Sequence, residues 1–155
     1  MKTEIFSIGY GNRRVEEFVW ILKKFDIALV ADVRSIPYSK NRPSYNSKKL
    51  ASFLNENGID YSFMGNQLGG KPKDPSFYIE GVLSNSLIWE SERFKEGINT
   101  LINRVDEYKR VCIMCAELRP EQCHRKWMVG DYLISAYGFF IRHINAVGEI
   151  EFLIT

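Results

Sequence analysis

The sequence predicts a single α/β domain with a mostly parallel sheet that helices cover on both faces. Short apolar, β-prone segments alternate along the chain with segments whose apolar residues recur at helical spacing. One β-prone segment, residues 27–33, is apolar almost throughout, which is typical of a strand buried on both sides. The 155 residues have the length of one domain and contain no repeat or linker, so we assign residues 1–155 to one domain.

Each strand is predicted where a short apolar run ends in turn-forming residues: residues 4–8, 27–33, 59–64, 110–114 and 139–144. Each helix is predicted from apolar residues at helical spacing: residues 13–25, 47–57, 91–108 and 120–137. Ser47 and Ser91 are the expected N-caps, and Gly138 is expected to end the last helix. Residues 65–87 are predicted as a long loop, and residues 149–154 as a short edge strand or a tail.

Composition excludes several classes of protein. The apolar share of 45% and the charged share of 26% are ordinary for a soluble protein, and a net charge of +2 argues against a general nucleic-acid coat. Three cysteines are too few for a disulfide scaffold. The chain starts without a signal pattern and has no apolar run of about 18 residues, the length that a membrane helix requires. We therefore expect a cytoplasmic protein with reduced thiols and no membrane partner.

The predicted elements fit a Rossmann-like three-layer sandwich, in which five strands take the order 3-2-1-4-5. Ligands bind such sheets beyond the carboxyl ends of the strands, where the strand order reverses. This edge would gather three stretches that are far apart in sequence: residues 9–12, 32–34 and 115–125. We expect the functional site there.

Three residues after the fourth strand are the candidates for catalysis. Cys115 ends the strand near arginines, which favours a nucleophilic thiolate, although it also fits a small buried apolar residue. Glu117 has the chemistry of a general base, or of a partner to Arg125 or Arg34 that shapes the turn. His124 titrates near neutrality, or it forms a hydrogen bond to a carbonyl.

Cys115, Cys123 and His124 also raise the question of a metal. Their spacing does not match the usual two-plus-two zinc pattern, and adjacent Cys and His rarely reach one ion, so we expect neither a metal nor another cofactor. A disulfide between Cys115 and Cys123 depends on the turn bringing them together. With it, a thiol redox protein stays open as an alternative function.

Further residues near the same strand ends are expected to bind a ligand. Arg34 and Arg125 have the charge to bind an anion, and Gly69 and Gly70 would let a ligand approach the backbone. The complete ligand-binding set is Tyr10, Asn12, Asp32, Arg34, Gly69, Gly70, Cys123 and Arg125.

Residues 33–55 form the one strongly basic segment, because they contain no Asp or Glu. Their basic residues beyond Arg34 are Lys40, Arg42, Lys48 and Lys49, and Tyr38 and Tyr45 lie between or beside them. Basic residues with interleaved tyrosines favour a phosphate-bearing ligand or a nucleic acid, with the tyrosines stacking on bases. A solvated surface explains the same pattern equally well.

Four spaced motifs resemble domain-of-unknown-function family 488. They are Ser7-Ile8-Gly9-Tyr10-Gly11-Asn12, Asp32-Val33-Arg34-Ser35-Ile36-Pro37, Leu68-Gly69-Gly70, and Cys115-Ala116-Glu117 followed by Cys123-His124-Arg125. The resemblance runs from residue 5 to about residue 145. It implies one α/β domain with these motifs at strand ends, and it implies no particular reaction. The family often has His at the position of Tyr10.

Together these observations favour an enzyme that acts on a phosphorylated, nucleotide or nucleic-acid ligand at the strand-end cleft. Arg34 and Arg125 would bind the anion, Glu117 would act as base, and Cys115 would be the nucleophile or part of the wall. A non-catalytic nucleic-acid-binding module that uses residues 34–49 is the alternative of another class.

Overall fold

Helices cover both faces of a six-stranded sheet in this computed structural model, which describes residues 2–153. The sheet contains β1 (Glu4–Gly9), β2 (Leu29–Asp32), β3 (Asp60–Phe63), β6 (Val111–Cys115), β7 (Phe140–Ile144) and β8 (Ile150–Glu151). A separate antiparallel hairpin consists of β4 (Tyr78–Ile79) and β5 (Val82–Leu83). The predicted α/β class and its mostly parallel sheet are confirmed.

The order of the strands differs from the predicted one. It is β3-β2-β6-β1-β7-β8, so β6 lies between β1 and β2, which were expected to be neighbours. Only β8 runs antiparallel, against β7, and it confirms the edge strand expected near residues 149–154, of which residue 154 lies outside the described residues. Every residue of β6 is buried, as a central strand requires. The order was wrong because several strands are equally apolar, so their sequences do not rank them from centre to edge.

Helices divide between the two faces. One face carries α1 (Val15–Lys24) and α2 (Ser47–Glu56), and the other carries α3 (Gly65–Leu68), α4 (Asn85–Glu90), α5 (Glu92–Tyr108) and α6 (Asp131–Tyr137). Alternate residues of β6 join the two cores. Cys112 and Met114 pack with α1 and α2, whereas Ile113 and Cys115 pack with the other helices. This alternation places the Cys115 side chain on the face of α5 and α6.

Helix ends agree in part with the sequence. Ser91 caps α5 by accepting a hydrogen bond from the Phe94 N–H at 3.2 Å, and Gly138 ends α6 with a φ of 68°. Ser47 is the first residue of α2 rather than its N-cap; Asn46 holds that position and makes no capping hydrogen bond with its side chain.

The helix predicted over residues 120–137 is three segments. A 3-10 turn covers Pro120–Gln122, a π-helix covers Arg125–Gly130, and α6 follows. The Asp131 N–H bonds the Lys126 carbonyl, five residues back. Widened turns of this kind are often found at functional sites. Here the widened segment begins at the buried Arg125.

The predicted loop over residues 65–87 is more ordered than expected. It contains α3, a 3-10 turn (Pro75–Phe77), the hairpin and the start of α4. Elements of two to six residues are too short to show a periodic pattern, which is why the sequence missed them. No helix within residues 2–153 is long and apolar enough to cross a bilayer.

We expect Gly9→Ala to destabilise the fold strongly. A Cβ at Gly9 would lie 1.7 Å from the Glu117 carbonyl oxygen, so β1 and the loop after β6 would have to separate. We expect a loss of roughly 3 kcal/mol in the free energy of unfolding, measured by urea titration. Gly81→Ala is the matched control, because its Cβ would meet nothing and only its φ of 80° opposes it, at about 1 kcal/mol. Equal losses in the two variants would contradict the close approach at Gly9.

Candidate functional site

A cleft of about 390 Å³ opens at the carboxyl ends of the strands. Register brings these ends together: Gly9 pairs with Cys115, and Asp32 pairs with Met114. Because β6 lies between β1 and β2, its following loop forms the centre of the cleft. The lining residues are Tyr10, Arg34, Ser35, Ile36, Tyr38, Gly70, Lys71, Cys115, Ala116, Glu117, Gln122, His124 and Trp127.

Arg34 is a buried cation held by Asp32. Its Nε and Nη2 donate to the two carboxylate oxygens at 2.9 and 2.7 Å, and Nη2 also donates to the Tyr45 carbonyl at 2.8 Å. Burial works to lower the pKa of Arg34, but the hydrogen bonds and charge of Asp32 raise it overall. Nη1 is buried and meets no hydrogen-bond acceptor among the described residues. Arg34 therefore brings a cation, already paired with Asp32, to the lining of the cleft.

Asp32 lies behind the cleft rather than in it. It is fully buried, and it also accepts a hydrogen bond of 2.6 Å from the Tyr61 hydroxyl. Tyr10 and Tyr45 stack with ring centroids 4.1 Å apart, and the Tyr45 hydroxyl donates to the Arg13 carbonyl. Tyr45 is therefore part of the core, whereas Tyr38, which was expected to stack on bases with it, lines the cleft with 64% of its surface exposed.

Arg125 organises the loop after β6 from behind. Its guanidinium donates to the carbonyls of Glu117 and Leu118 at 2.7 and 3.3 Å, and Nη1 lies 3.2 Å from Cys115 Sγ. Burial is the main cause that lowers the pKa of Arg125, to about 10. The side chain has no exposed surface and does not line the cleft. Arg125 therefore positions the loop after β6, whereas it was expected to contact an anion.

A buried polar chain continues from Arg125 to β7. Arg125 Nε donates to Ser7 Oγ at 3.3 Å, and Ser7 Oγ lies 2.5 Å from Nδ1 of His143. The Ser7 hydroxyl has one proton and two lone pairs, so it accepts from Arg125 and either donates to Nδ1 of His143 or accepts from it, according to the tautomer. Burial, together with the charges of Arg125 and Lys126, lowers the pKa of His143 to about 3. His143 is therefore neutral at ordinary pH.

The sulfur atoms of Cys115 and Cys123 are joined at 2.12 Å, and their Cα atoms are 7.6 Å apart. Cys115 Sγ also lies 3.2 Å from Glu117 Oε2. The turn thus brings the two cysteines together, as the disulfide alternative required. Cys112 is fully buried on the other face of the sheet, where burial raises the pKa of its thiol.

His124 is fixed by a backbone contact, as one of its two interpretations predicted. Its Nε2 lies 2.8 Å from the Val33 carbonyl oxygen, so Nε2 carries the proton and Nδ1 is left with a lone pair. Burial lowers the pKa of His124, and the carbonyls of Val33 and Leu68 offset part of that effect. Nδ1 lies 3.8 Å from Cys123 Sγ. The ligand atoms of Cys115, Cys123 and His124 all lie within 4.8 Å of one another.

Gly69 and Gly70 allow close packing within the protein. A Cβ at Gly70 would lie 2.7 Å from the His124 ring, and one at Gly69 would lie 2.3 Å from Ser35 Oγ. The Lys71 N–H then donates to Ser35 Oγ at 2.8 Å. The two glycines were expected to admit a ligand, but it is His124 and Ser35 that approach their backbone. They place Lys71 at the cleft.

Not every predicted residue reaches the cleft. Asn12 is exposed outside its lining, and Cys123 and Gly69 lie behind it. The basic residues beyond Arg34 lie on other surfaces: Lys40, Arg42, Lys48 and Lys49. Six lining residues were not among the predicted site residues: Ser35, Ile36, Lys71, Ala116, Gln122 and Trp127. Lys71 directly follows the two glycines, and Trp127 lies three residues after His124, so each had a positional signal.

The comparison with protein families found one match. A match to the family described as "Domain of unknown function DUF488" spans residues 14–133. The chain belongs to the DUF488 family. This family match covers three of the four motifs quoted above; the motif at Ser7–Asn12 precedes it. The searches of curated proteins and of solved structures found no significant match.

The buried His143 gives this DUF488 chain a pH-dependent stability that can be measured. Its folded-state pKa lies below the unfolded value of about 6.5, so the unfolded chain binds more protons between about pH 6.5 and pH 3. The contribution is complete above pH 6.5 and is lost as the pH falls, with a slope approaching about 1.4 kcal/mol per pH unit. We expect the free energies of unfolding of the wild type and of His143→Gln to converge from pH 7 to pH 4. Parallel curves would show that His143 does not titrate in this way.

Proposed function

We propose that the protein is an enzyme that acts on a phosphate-bearing, nucleotide-like ligand in the cleft at the strand ends. The observation that carries this proposal is that two cations, Arg34 and Lys71, line the same cleft as Glu117. Hydrogen bonds from cationic side chains are the usual contacts of phosphate oxygens in proteins.

The anion would lie between Arg34 and Lys71. Asp32 neutralises most of the charge of Arg34, so the guanidinium contributes a fixed donor more than a net charge. Lys71 is exposed at the same cleft and supplies the second cation. Glu117 is the only carboxylate of the described lining, and its Oε2 lies 3.2 Å from Cys115 Sγ.

Aromatic faces in the lining favour a base or another flat group on the ligand. Tyr38 is mostly exposed and Trp127 is half-buried, so both have ring surface left for stacking. Stacking of a base on an aromatic side chain contributes about 1–3 kcal/mol. A volume of about 390 Å³ lies within the range of small-ligand sites, which is about 300–1,000 Å³.

Glu117 is the group that we assign to proton transfer. The Cys115 sulfur is bonded to Cys123, and His124 is held by the Val33 carbonyl. Glu117 is exposed to the cleft, and its carboxylate oxygens accept protons. In this assignment Glu117 removes a proton from the attacking water or hydroxyl group, while Arg34 and Lys71 stabilise charge on the phosphate.

Ligand binding tests the anion site. We expect Lys71→Ala to weaken the binding of at least one 5′-mononucleotide about 10-fold, because it removes one charge-assisted contact of about 1.4 kcal/mol. The measurement is calorimetric titration with the four ribonucleoside monophosphates and with inorganic phosphate. Lys49→Ala is the control, since Lys49 is exposed on α2 away from the lining and should leave binding unchanged. Equal weakening in both variants would mean that the cleft is not the binding site.

A variant of Arg34 completes this test. Arg34→Ala would leave the buried Asp32 unpaired, at a cost of about 3–5 kcal/mol, and would confuse folding with binding. Arg34→Lys keeps a cation beside Asp32 and removes the Nη1 donor. We expect this variant to stay folded, by circular dichroism, and to bind the same nucleotide more weakly.

Catalysis is tested by Glu117→Gln, which keeps the shape of the side chain and removes its basicity. We expect the wild type to convert a nucleotide or short oligonucleotide that binds. The rate should be at least about 100-fold lower in the variant. Products are measured by chromatography and by phosphorus NMR. Unchanged turnover in Glu117→Gln would remove the assigned base.

Exposed lysines outside the cleft lining favour a second candidate, a nucleic-acid-binding module. Lys40, Lys48 and Lys49 are exposed, and within residues 2–153 none of them is in an ion pair. Binding through them would weaken steeply with salt. A gel shift that is lost when Lys40, Arg42, Lys48 and Lys49 are replaced together, but kept in Glu117→Gln, would favour this module over the enzyme.

A further inference from the structure

Three side chains, two that line the cleft and one behind it, bring metal-ligating atoms to one place. The sulfurs of Cys115 and Cys123 and a ring nitrogen of His124 lie within 4.8 Å of one another. We propose that, in the reduced protein, these three residues bind one thiophilic divalent ion of the Zn²⁺ class. This inference does not depend on the function proposed above.

His124 is already oriented for an ion. Its Nε2–H donates to the Val33 carbonyl, which leaves the Nδ1 lone pair on the side of Cys123. Histidine ligands usually donate their other ring N–H to a carbonyl or carboxylate in this way. The distance of 3.8 Å from Nδ1 to Cys123 Sγ is close to about 3.6 Å, the separation that Zn–S and Zn–N distances give in a tetrahedral site.

The backbone spacing of the cysteines also suits an ion. Their Cα atoms are 7.6 Å apart, whereas most disulfides require about 4.4–6.8 Å. Two thiolates on one tetrahedral zinc lie about 3.8 Å apart, from two Zn–S bonds of about 2.3 Å. The wider spacing of the backbone therefore favours an ion between the sulfurs.

Arg125 supplies a second reason to place thiolates here. Its guanidinium is fully buried, and among residues 2–153 no carboxylate lies within ion-pair distance of it. Nη1 lies 3.2 Å from Cys115 Sγ, and the backbone N–H of Arg125 lies 3.5 Å from Cys123 Sγ. A buried cation is costly without a counter-charge. A thiolate at Cys115 provides that charge, and both donors stabilise sulfur ligands of a metal.

The metal site forms from the bonded cysteines in two steps, reduction of the disulfide and binding of the ion. A dithiol reductant transfers two electrons and two protons to the S–S bond and becomes a disulfide itself, which leaves two thiols on the protein. The ion then replaces the two thiol protons, which go to solvent. Cys115 and His124 both line the cleft, so the fourth coordination position faces the cleft beside Glu117. Three protein ligands with one open position are the pattern of catalytic zinc sites.

No metal was expected because the spacing differs from the two-plus-two zinc pattern and because adjacent Cys and His residues rarely reach one ion. The chain extends at Cys123, with φ of −124° and ψ of 141°, and turns helical at His124. This change of backbone conformation between two adjacent residues directs both side chains to the same side. Spacing in the sequence carries no information on such a change.

The test uses the full chain, reduced under anaerobic conditions and titrated with Co²⁺ and then Zn²⁺. We expect one Co²⁺ per chain with thiolate-to-metal charge-transfer absorption, and its displacement by Zn²⁺. Cys123→Ser and His124→Ala should each lower the Zn²⁺ affinity at least 10-fold, whereas Cys112→Ala, on the other face of the sheet, should leave it unchanged. Absence of the absorption in the wild type, or an equal effect of Cys112→Ala, would overturn the proposal.

A second measurement needs no variant. Zn²⁺ should slow alkylation of Cys115 and Cys123 in the folded, reduced wild type, as read by mass spectrometry of the peptides. Equal alkylation with and without Zn²⁺ would also overturn the proposal, and rapid re-formation of the S–S bond in the presence of excess Zn²⁺ would favour a thiol redox function instead.

Discussion

The buried guanidinium of Arg125 is the constraint on which the candidate site depends. A cation without exposed surface must find its hydrogen bonds inside the protein, and Arg125 finds them in Ser7 and in the loop after β6. These bonds hold the Glu117 and Leu118 carbonyls toward the interior. The Glu117 side chain is thereby left facing the cleft, and the Cys115 sulfur stays beside the guanidinium.

The same constraint links distant parts of the chain. Arg125 begins the π-helical turn, Ser7 lies on β1, and His143 lies on β7, so one buried polar chain joins three elements. Close approach at Gly9 is part of this arrangement, because the Glu117 carbonyl that Arg125 binds lies directly against Gly9. A change at any of these residues would therefore alter the position of the loop after β6, which lines the cleft.

Much of the site could be predicted from the sequence, since parallel strands end at one edge of a sheet whatever their order. The edge position of Tyr10, Arg34, Cys115 and Glu117 followed from this rule and did not need the correct order of the strands. The order itself was wrong, because β6 and β2 are apolar alike and only the packing of helices on each face decides which is central. The roles of Arg34 and Arg125 were also outside the reach of the sequence. Both are arginines next to buried segments, and only the three-dimensional contacts show that one lines the cleft and the other lies behind it.

Charge balance explains why the Cys115 sulfur lies beside a buried arginine while the Glu117 carboxylate faces the cleft. Arg34 has its counter-charge in Asp32 and lines the cleft. Arg125 has no carboxylate at ion-pair distance within the described residues, and its Nη1 lies 3.2 Å from the Cys115 sulfur. If Glu117 turned inward to pair with Arg125, the cleft would lose its only lining carboxylate, and the loop carbonyls would lose their donor. In the reduced, metal-bound state proposed above, a thiolate at Cys115 would supply that counter-charge and leave the Glu117 carboxylate at the cleft. The state of the cysteines and the availability of the Glu117 carboxylate are therefore linked. Arg34 pairs with Asp32 and Arg125 would pair with the Cys115 thiolate, so neither arginine requires Glu117 as its counter-charge.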